Sequence, residues 1–91
     1  MAEIIRINGS RQNVRPANGV AFTLEEMQAV VGGYIEFVGL NETDTMVLIE
    51  EGKLENLPFN IEATKVFRSY YPDSNDFIVG NVLICNNNQI R

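Results

Sequence analysis

Hydrophobic and polar residues follow two different spacings along this chain, and the spacings predict both strands and helices. Strands are predicted where apolar and polar residues alternate, or where turn residues stand before and after a short segment. These strands cover residues 3–7, 12–15, 34–40 and 46–50. Residues 77–85 are apolar on both faces, which indicates a strand in the middle of the sheet. Helical spacing covers 23–31 and 61–70. The pattern predicts an α+β fold: a mixed, mostly antiparallel sheet of four or five strands with two helices packed on one face.

The junction at residues 30–40 organises this prediction, because a helix there runs directly into a strand. Thr23 and Glu26 have the spacing of a capping box, which marks the start of the helix. Gly32 and Gly33 follow its last turn, and glycine adopts the left-handed conformation that ends helices. We therefore expect the helix to end at this pair and a strand to begin at Tyr34.

The second half of the chain carries its own signals. Asn60 stands where a side chain would cap the helix at 61–70. Gly80 interrupts the apolar run at 77–85, which favours a bulge or a close backbone approach. Residues 86–91 are polar, and we expect them to form a tail on a single domain that spans residues 1–91.

Chain length and strand pattern together favour self-association. A chain of 91 residues with 45% hydrophobic content buries a small core, so pairing through an apolar surface would add stability. The strands at 34–40 and 46–50 are apolar on both faces, and helices on one face would leave the other uncovered. We expect a homo-oligomer, with a further protein partner that the sequence does not identify.

Composition excludes several classes of function. The chain has one cysteine, Cys85, and no histidine, which removes intramolecular disulfides, Cys/His zinc sites and histidine catalysis. The net charge of −5, with seven scattered basic residues, argues against direct nucleic-acid contact. No stretch has the length of a membrane span, and the first residues lack the pattern of a signal peptide. We expect a cytoplasmic protein without metal or cofactor, which is not an enzyme.

The densest polar segment is the loop at residues 51–60, which ends at a predicted helix start. Free N–H groups at a helix start can receive an anion, so this loop is the candidate ligand site. The alternative is a solvated turn anchored by its apolar residues. Asn81 could join the site by projecting into a pocket, or it could bond a backbone group at a bulge. The candidate ligand-binding residues are Glu51, Lys53, Asn56, Asn60 and Asn81.

Three motifs give the chain a resemblance to a known family. They are VVGGYIEFV, then EEGKLENLP with N-x-x-AT, then IVGNVLIC. In their order and spacing, over residues 15–90, the chain resembles the domain-of-unknown-function family 3846, small proteins of phages, plasmids and conjugative elements. The resemblance implies an α+β domain in which a Gly-Gly helix end leads into a strand hairpin, and it implies no activity. Members commonly have Asn where this chain has Ile49, so a role for that side chain does not carry over.

Two functions remain from different classes. The first is a non-catalytic protein-interaction module of a mobile element that self-associates through sheet surface left uncovered by the helices. The alternative is a small-molecule or nucleotide-binding protein that sequesters its ligand with the 51–60 loop. An enzyme ranks third because the residue types of common catalytic sites are missing.

Overall fold

A computed structural model describes residues 2–90 and shows one sheet of five strands. The strands are β1 (Ala2–Ile5), β2 (Arg11–Val14), β3 (Ile35–Gly39), β4 (Asp44–Ile49) and β5 (Val82–Asn86). Their order is β2-β1-β5-β4-β3, and every neighbouring pair is antiparallel. The helices are α1 (Leu24–Val31) and α2 (Ile61–Tyr70). The α+β class, the five strands and the two helices are confirmed.

The prediction that both helices pack on one face of the sheet is wrong. Two separate clusters of buried side chains take alternate residues from the same strands: Val47 belongs to one and Met46 to the other. Met27 of α1 lies in the first cluster, whereas Phe67 of α2 lies in the second. Since neighbouring residues of a strand point to opposite faces, α1 and α2 cover opposite faces of the sheet. The apolar character of both strand faces reflects these two helices.

The junction between α1 and β3 forms as predicted. Thr23 Oγ1 accepts from the Glu26 N–H at 3.2 Å and Glu26 Oε1 accepts from the Thr23 N–H at 2.9 Å, which completes the capping box. Gly32 has φ 88° and its N–H bonds the Gln28 carbonyl at 2.7 Å. A side chain is disfavoured at this φ, so glycine is required where the helix ends. The chain then enters β3 within three residues.

The central position predicted for the apolar run at 77–85 is confirmed, but the strand starts later. β5 begins at Val82 because Gly80, at φ 75°, breaks the extended backbone. Before that break, Val79 makes an isolated bridge to Phe59, and the Gly80 N–H bonds the Pro58 carbonyl at 2.9 Å. The first half of the run therefore pairs with the 51–60 loop rather than with the sheet.

Residues 86–90 of the expected polar tail contact the rest of the domain. Asn86 Oδ1 accepts from the Asn88 N–H at 3.1 Å and caps a 3₁₀ turn, Asn87–Gln89. Ile90 bridges to Phe22 and packs against the α1 cluster. These contacts hold the segment on the sheet, and Arg91, the last residue of the predicted tail, lies outside the described residues.

Gly52 offers a test of the packing between β4 and the loops that follow it. A Cβ at this position would overlap Ile49 Cγ2 and lie 2.8 Å from Val79 Cγ2, both of them branch atoms fixed close to the backbone. We expect Gly52→Ala to lower the free energy of unfolding by about 1–3 kcal/mol, the usual cost of overpacking. Urea denaturation of dilute protein measures this loss.

Gly39→Ala is the matched control, because a Cβ there meets nothing within 4 Å. It should leave stability unchanged or slightly higher. Equal losses for the two variants would contradict the packing described around Gly52.

Candidate functional site

A cleft of about 200 Å³ lies on the face of the sheet that α2 covers, close to β3. Its floor is apolar and is formed by Val38 of β3, Leu48 of β4 and Phe67 of α2. The turn after β4 and the segment before β5 form its walls. Sequence reasoning placed a site in the 51–60 loop, and the start of that loop borders this cleft.

The rim of the cleft carries more carboxylates than ammonium groups. Glu36, Glu50, Glu51 and Asp76 line it together with Lys53. Lys53 Nζ bonds the Asp76 carboxylate and lies 4.4 Å from the centre of the Phe77 ring. Because the one lysine of the rim is paired with Asp76, the rim is acidic and does not suit a phosphate group.

The side chain of Lys53 lowers the pKa of the Asp76 carboxyl below its ordinary value of 3.8 by a hydrogen bond. The Phe77 N–H, 2.9 Å from Asp76 Oδ1, adds to this effect. A lowered pKa means that the folded state favours the ionised carboxylate. The resulting stabilisation is present above the ordinary pKa and is lost as the pH falls through the folded-state pKa.

The predicted site residues separate into two groups. Glu51 and Lys53 line the cleft. Asn56 is exposed, with φ 55°, and its N–H contacts the Lys53 carbonyl at 3.3 Å. Asn tolerates this left-handed conformation better than most residues, so its backbone shapes the turn.

Asn60 has a structural position in the core. Its side chain is fully buried, and Oδ1 accepts from the Ala63 N–H at 2.9 Å, which caps α2. Its Nδ2 donates to the Ile5 carbonyl at 3.1 Å and to the Gly80 carbonyl at 2.8 Å. The amide is thus shielded from solvent, and its oxygen occupies the helix start that the sequence suggested for an anion.

Asn81 bonds backbone rather than projecting into the cleft. Its Oδ1 accepts from the Ile7 N–H at 3.0 Å, which ties the start of β5 to the end of β1. Of the two alternatives for Asn81, the structure supports the backbone bond, although the partner lies 74 positions away in the sequence. Neither Asn60 nor Asn81 lines the cleft.

Asp76 and Glu36 are rim residues that sequence reasoning did not select. They come from the turn after α2 and from β3, so no local motif joins them to Lys53. A broader depression of about 770 Å³ lies at the end of β2, but mostly exposed turn residues line it. Because Arg15, Ala17 and Gly19 in its lining are exposed, it would not enclose a ligand as concave binding sites do.

A second surface of interest is the outer side of β3, the last strand of the sheet. We call it the β3 edge and define it by Tyr34, Ile35, Phe37 and Gly39. Tyr34 is 79% exposed and Phe37 50% exposed. Two exposed aromatic side chains at the edge of a sheet, on a strand that pairs on one side only, are typical of an interaction surface.

The opposite end of the sheet has a different character. β2 has the sequence RQNV, and its first three residues are exposed. Arg11 pairs with Glu3 at 3.0 Å and approaches Glu62 of α2 at 3.6 Å. Polar and charged residues of this kind protect an edge strand from pairing.

Comparison with known proteins gives one match, to the family described as a domain of unknown function, DUF3846, over residues 2–90. The chain belongs to this family. The match extends the resemblance seen in the sequence to β1 and β2. No curated protein and no solved structure matches the chain.

In residues 2–90, no three Cys, His, Asp or Glu side chains come together in a way that could hold a metal ion. Neither helix of this part of the chain is long and apolar enough to cross a membrane.

We expect Asn60→Ala to lower the free energy of unfolding by about 2–4 kcal/mol, because it removes a helix cap and leaves two buried carbonyls without their donor. Urea denaturation gives the value. Asn86→Ala is the control, since it also removes a cap, but from a short 3₁₀ turn. The Asn86 side chain is only half-buried. A loss at Asn60 no larger than that at Asn86 would contradict the central role of the Asn60 amide.

We expect Lys53→Met to raise the pKa of the Asp76 carboxyl towards its ordinary value, because it removes the largest cause of the lowering. An NMR titration of the carboxyl carbon follows this change directly. Lys65→Met is matched in chemistry but removes a pair with Glu62, 3.3 Å away, and should leave Asp76 unchanged. An Asp76 pKa that is the same in both variants would show that Lys53 does not hold this carboxylate.

Proposed function

We propose that this protein is a non-catalytic protein-interaction module that self-associates through its β3 edge. The observation that carries the proposal is the exposure of Tyr34 and Phe37 beside a strand with no neighbouring strand on its outer side. An exposed strand of this type binds a further strand by backbone hydrogen bonds, and apolar side chains add affinity.

The position of the helices supports an edge rather than a face as the contact. Because α1 and α2 cover opposite faces, the uncovered sheet surface that the sequence suggested is occupied by α2. The two ends of the sheet remain, and β2 is polar whereas the β3 edge is aromatic. Burial of apolar surface between two copies would add to the stability of a small domain, and the exposed apolar side chains at the ends of the sheet lie at the β3 edge.

The chemistry of the buried thiol supports a non-catalytic role. Burial raises the pKa of Cys85 to about 11, so the thiol stays protonated at neutral pH and is a poor nucleophile. The chain has no histidine that could remove its proton.

The alternative, a small-molecule or nucleotide-binding protein, has weaker support. The cleft beside the 51–60 loop measures about 200 Å³, which is smaller than the usual range of about 300–1,000 Å³ for ligand pockets. Its acidic rim opposes a phosphate. We further propose that the module acts in the cytoplasm and, following the family resemblance, that the cell carries a phage, plasmid or conjugative element.

Analytical ultracentrifugation over a wide concentration range tests the proposal. We expect the mass of the wild-type protein to rise with concentration to that of a dimer. The double variant Tyr34→Ser/Phe37→Ser should remain a monomer under the same conditions, because it removes both aromatic side chains of the β3 edge.

The matched control is Val20→Ser/Ile61→Ser, which removes two apolar side chains that are 72% and 56% exposed. Ile61 begins α2, where the neighbouring Glu62 lies 3.6 Å from Arg11 of β2, at the opposite end of the sheet from β3. This control should associate as the wild type does. A wild-type protein that stays monomeric at the highest concentration would refute self-association, and equal effects of the two double variants would refute the β3 edge as its location.

A further inference from the structure

The hydrogen bonds at the two ends of β3 reveal which backbone groups face outward. The Tyr34 carbonyl accepts from the Glu50 N–H at 2.9 Å, and the Leu40 N–H donates to the Asp44 carbonyl at 2.9 Å. Tyr34 and Leu40 therefore direct their backbone groups towards β4. Since this direction alternates along an antiparallel strand, Glu36 and Val38 also bond β4.

The residues between them, Ile35, Phe37 and Gly39, direct their N–H and C=O groups to the open side. A contact from outside the sheet agrees with this assignment: the Tyr71 hydroxyl, which comes from the end of α2, donates to the Gly39 carbonyl. The middle of the β3 edge, at Phe37, thus has both a donor and an acceptor directed away from the sheet.

We propose that two copies of the chain join β3 to β3 in an antiparallel pair with Phe37 of each copy opposite Phe37 of the other. This inference rests on the self-association proposed above and specifies its register. The two Phe37 residues exchange N–H and C=O hydrogen bonds, and the two sheets become one continuous sheet.

Side-chain directions limit the symmetric registers. Directly opposed residues of an antiparallel pair have their side chains on the same face of the sheet. The two-fold axis therefore lies midway between one residue of β3 and the same residue of the second copy, and we name the axis by that residue. An axis at Glu36 would place two carboxylates opposite each other, which is destabilising. An axis at Val38 would place Ile35 opposite Asn41, which lies beyond the end of β3.

The axis at Phe37 avoids both problems. Every β3 residue then pairs with another β3 residue: Glu36 lies opposite Val38, and Ile35 lies opposite Gly39. A Cβ at Gly39 would meet nothing within 4 Å, so there is room beside this residue for the Ile35 side chain of the second copy. The Gly39 carbonyl, which already accepts from the Tyr71 hydroxyl, has a second lone pair for the Ile35 N–H. The two Phe37 rings become a cross-strand aromatic pair, a favourable arrangement in sheets.

This register has a test that depends on residue 37 alone. We expect Phe37→Lys and Phe37→Asp to be monomers when separate, because each would place like charges opposite each other. Mixed together they should form a heterodimer about tenfold tighter than either homodimer, since opposite charges then face each other. Native mass spectrometry distinguishes the heterodimer by its mass, and circular dichroism verifies that each variant folds.

With the axis at Glu36 or Val38, residue 37 faces Ile35 or Gly39 of the second copy, and mixing the two charged variants would not restore dimerisation. If the wild type dimerises but the mixture of Phe37→Lys and Phe37→Asp forms no heterodimer, the Phe37-centred register is wrong. Self-association would still stand. A monomeric wild type overturns both proposals. Asn13→Lys with Asn13→Asp, on exposed positions of β2, is the matched control and should leave dimerisation unchanged in every combination.

A second measurement leaves Phe37 intact. A spin label at Glu50→Cys, in a Cys85→Ala background, reports the distance between the two copies from outside the contact, because Glu50 is exposed and bonds Tyr34 on the side away from the second copy. With the axis at Phe37, the two labelled positions are about six residues apart along the strands and about three strand spacings apart across them, or about 25 Å. A separation of about 31 Å would place the axis at Val38, and about 20 Å would place it at Glu36; either value overturns the proposed register.

Discussion

The buried amide of Asn60 is the contact on which the α2 side of the molecule depends. One side chain with no exposure to solvent caps α2, bonds the Ile5 carbonyl of β1 and bonds the Gly80 carbonyl before β5. The Asn60 N–H also bonds the Ile78 carbonyl at 2.8 Å. A buried amide is stabilising only when its donors and acceptors are paired, and here they fix α2, β1 and the approach to β5 in one arrangement.

The consequences of this arrangement extend to the cleft. Ile78, which Thr64 also bonds through its hydroxyl, stands at the wall of the cleft, and Phe67 of α2 forms part of the floor. The N-cap at Asn60 thus positions the cleft without lining it. An Asn at a helix start and an Asn in a ligand site look identical in a sequence, because the distinction is made by what surrounds the side chain.

Local signals in the sequence predicted the local structure well. The capping box at Thr23, the left-handed Gly32 and the cap at Asn60 each depend on residues within a few positions, and the structure contains all three. The central place of β5 also followed from its apolar composition. The polar composition of residues 86–90 did not reveal that Gln89 accepts from the Asn86 N–H or that Ile90 bridges to Phe22.

Other features required contacts that no local pattern carries. The strands were correctly predicted to be apolar on both faces, yet periodicity does not state whether a helix or another molecule covers the second face. The cleft rim joins Glu36, Lys53 and Asp76 from three separate segments, so its acidic character could not be predicted from the 51–60 loop. The sequence did not show that Lys53 pairs with Asp76, 23 positions later, and this pair makes Lys53 less available to an anion.

The contrast between the two ends of the sheet sets a limit on how large an assembly could grow. When both edge strands of a molecule can pair with another copy, strand addition continues without limit, as in fibrils, because each added copy still has one free edge. Here Arg11 and its carboxylate partners render one end inert. In the proposed association through the β3 edge, a chain with a single usable end would complete its growth after one addition, and the product would be a closed pair.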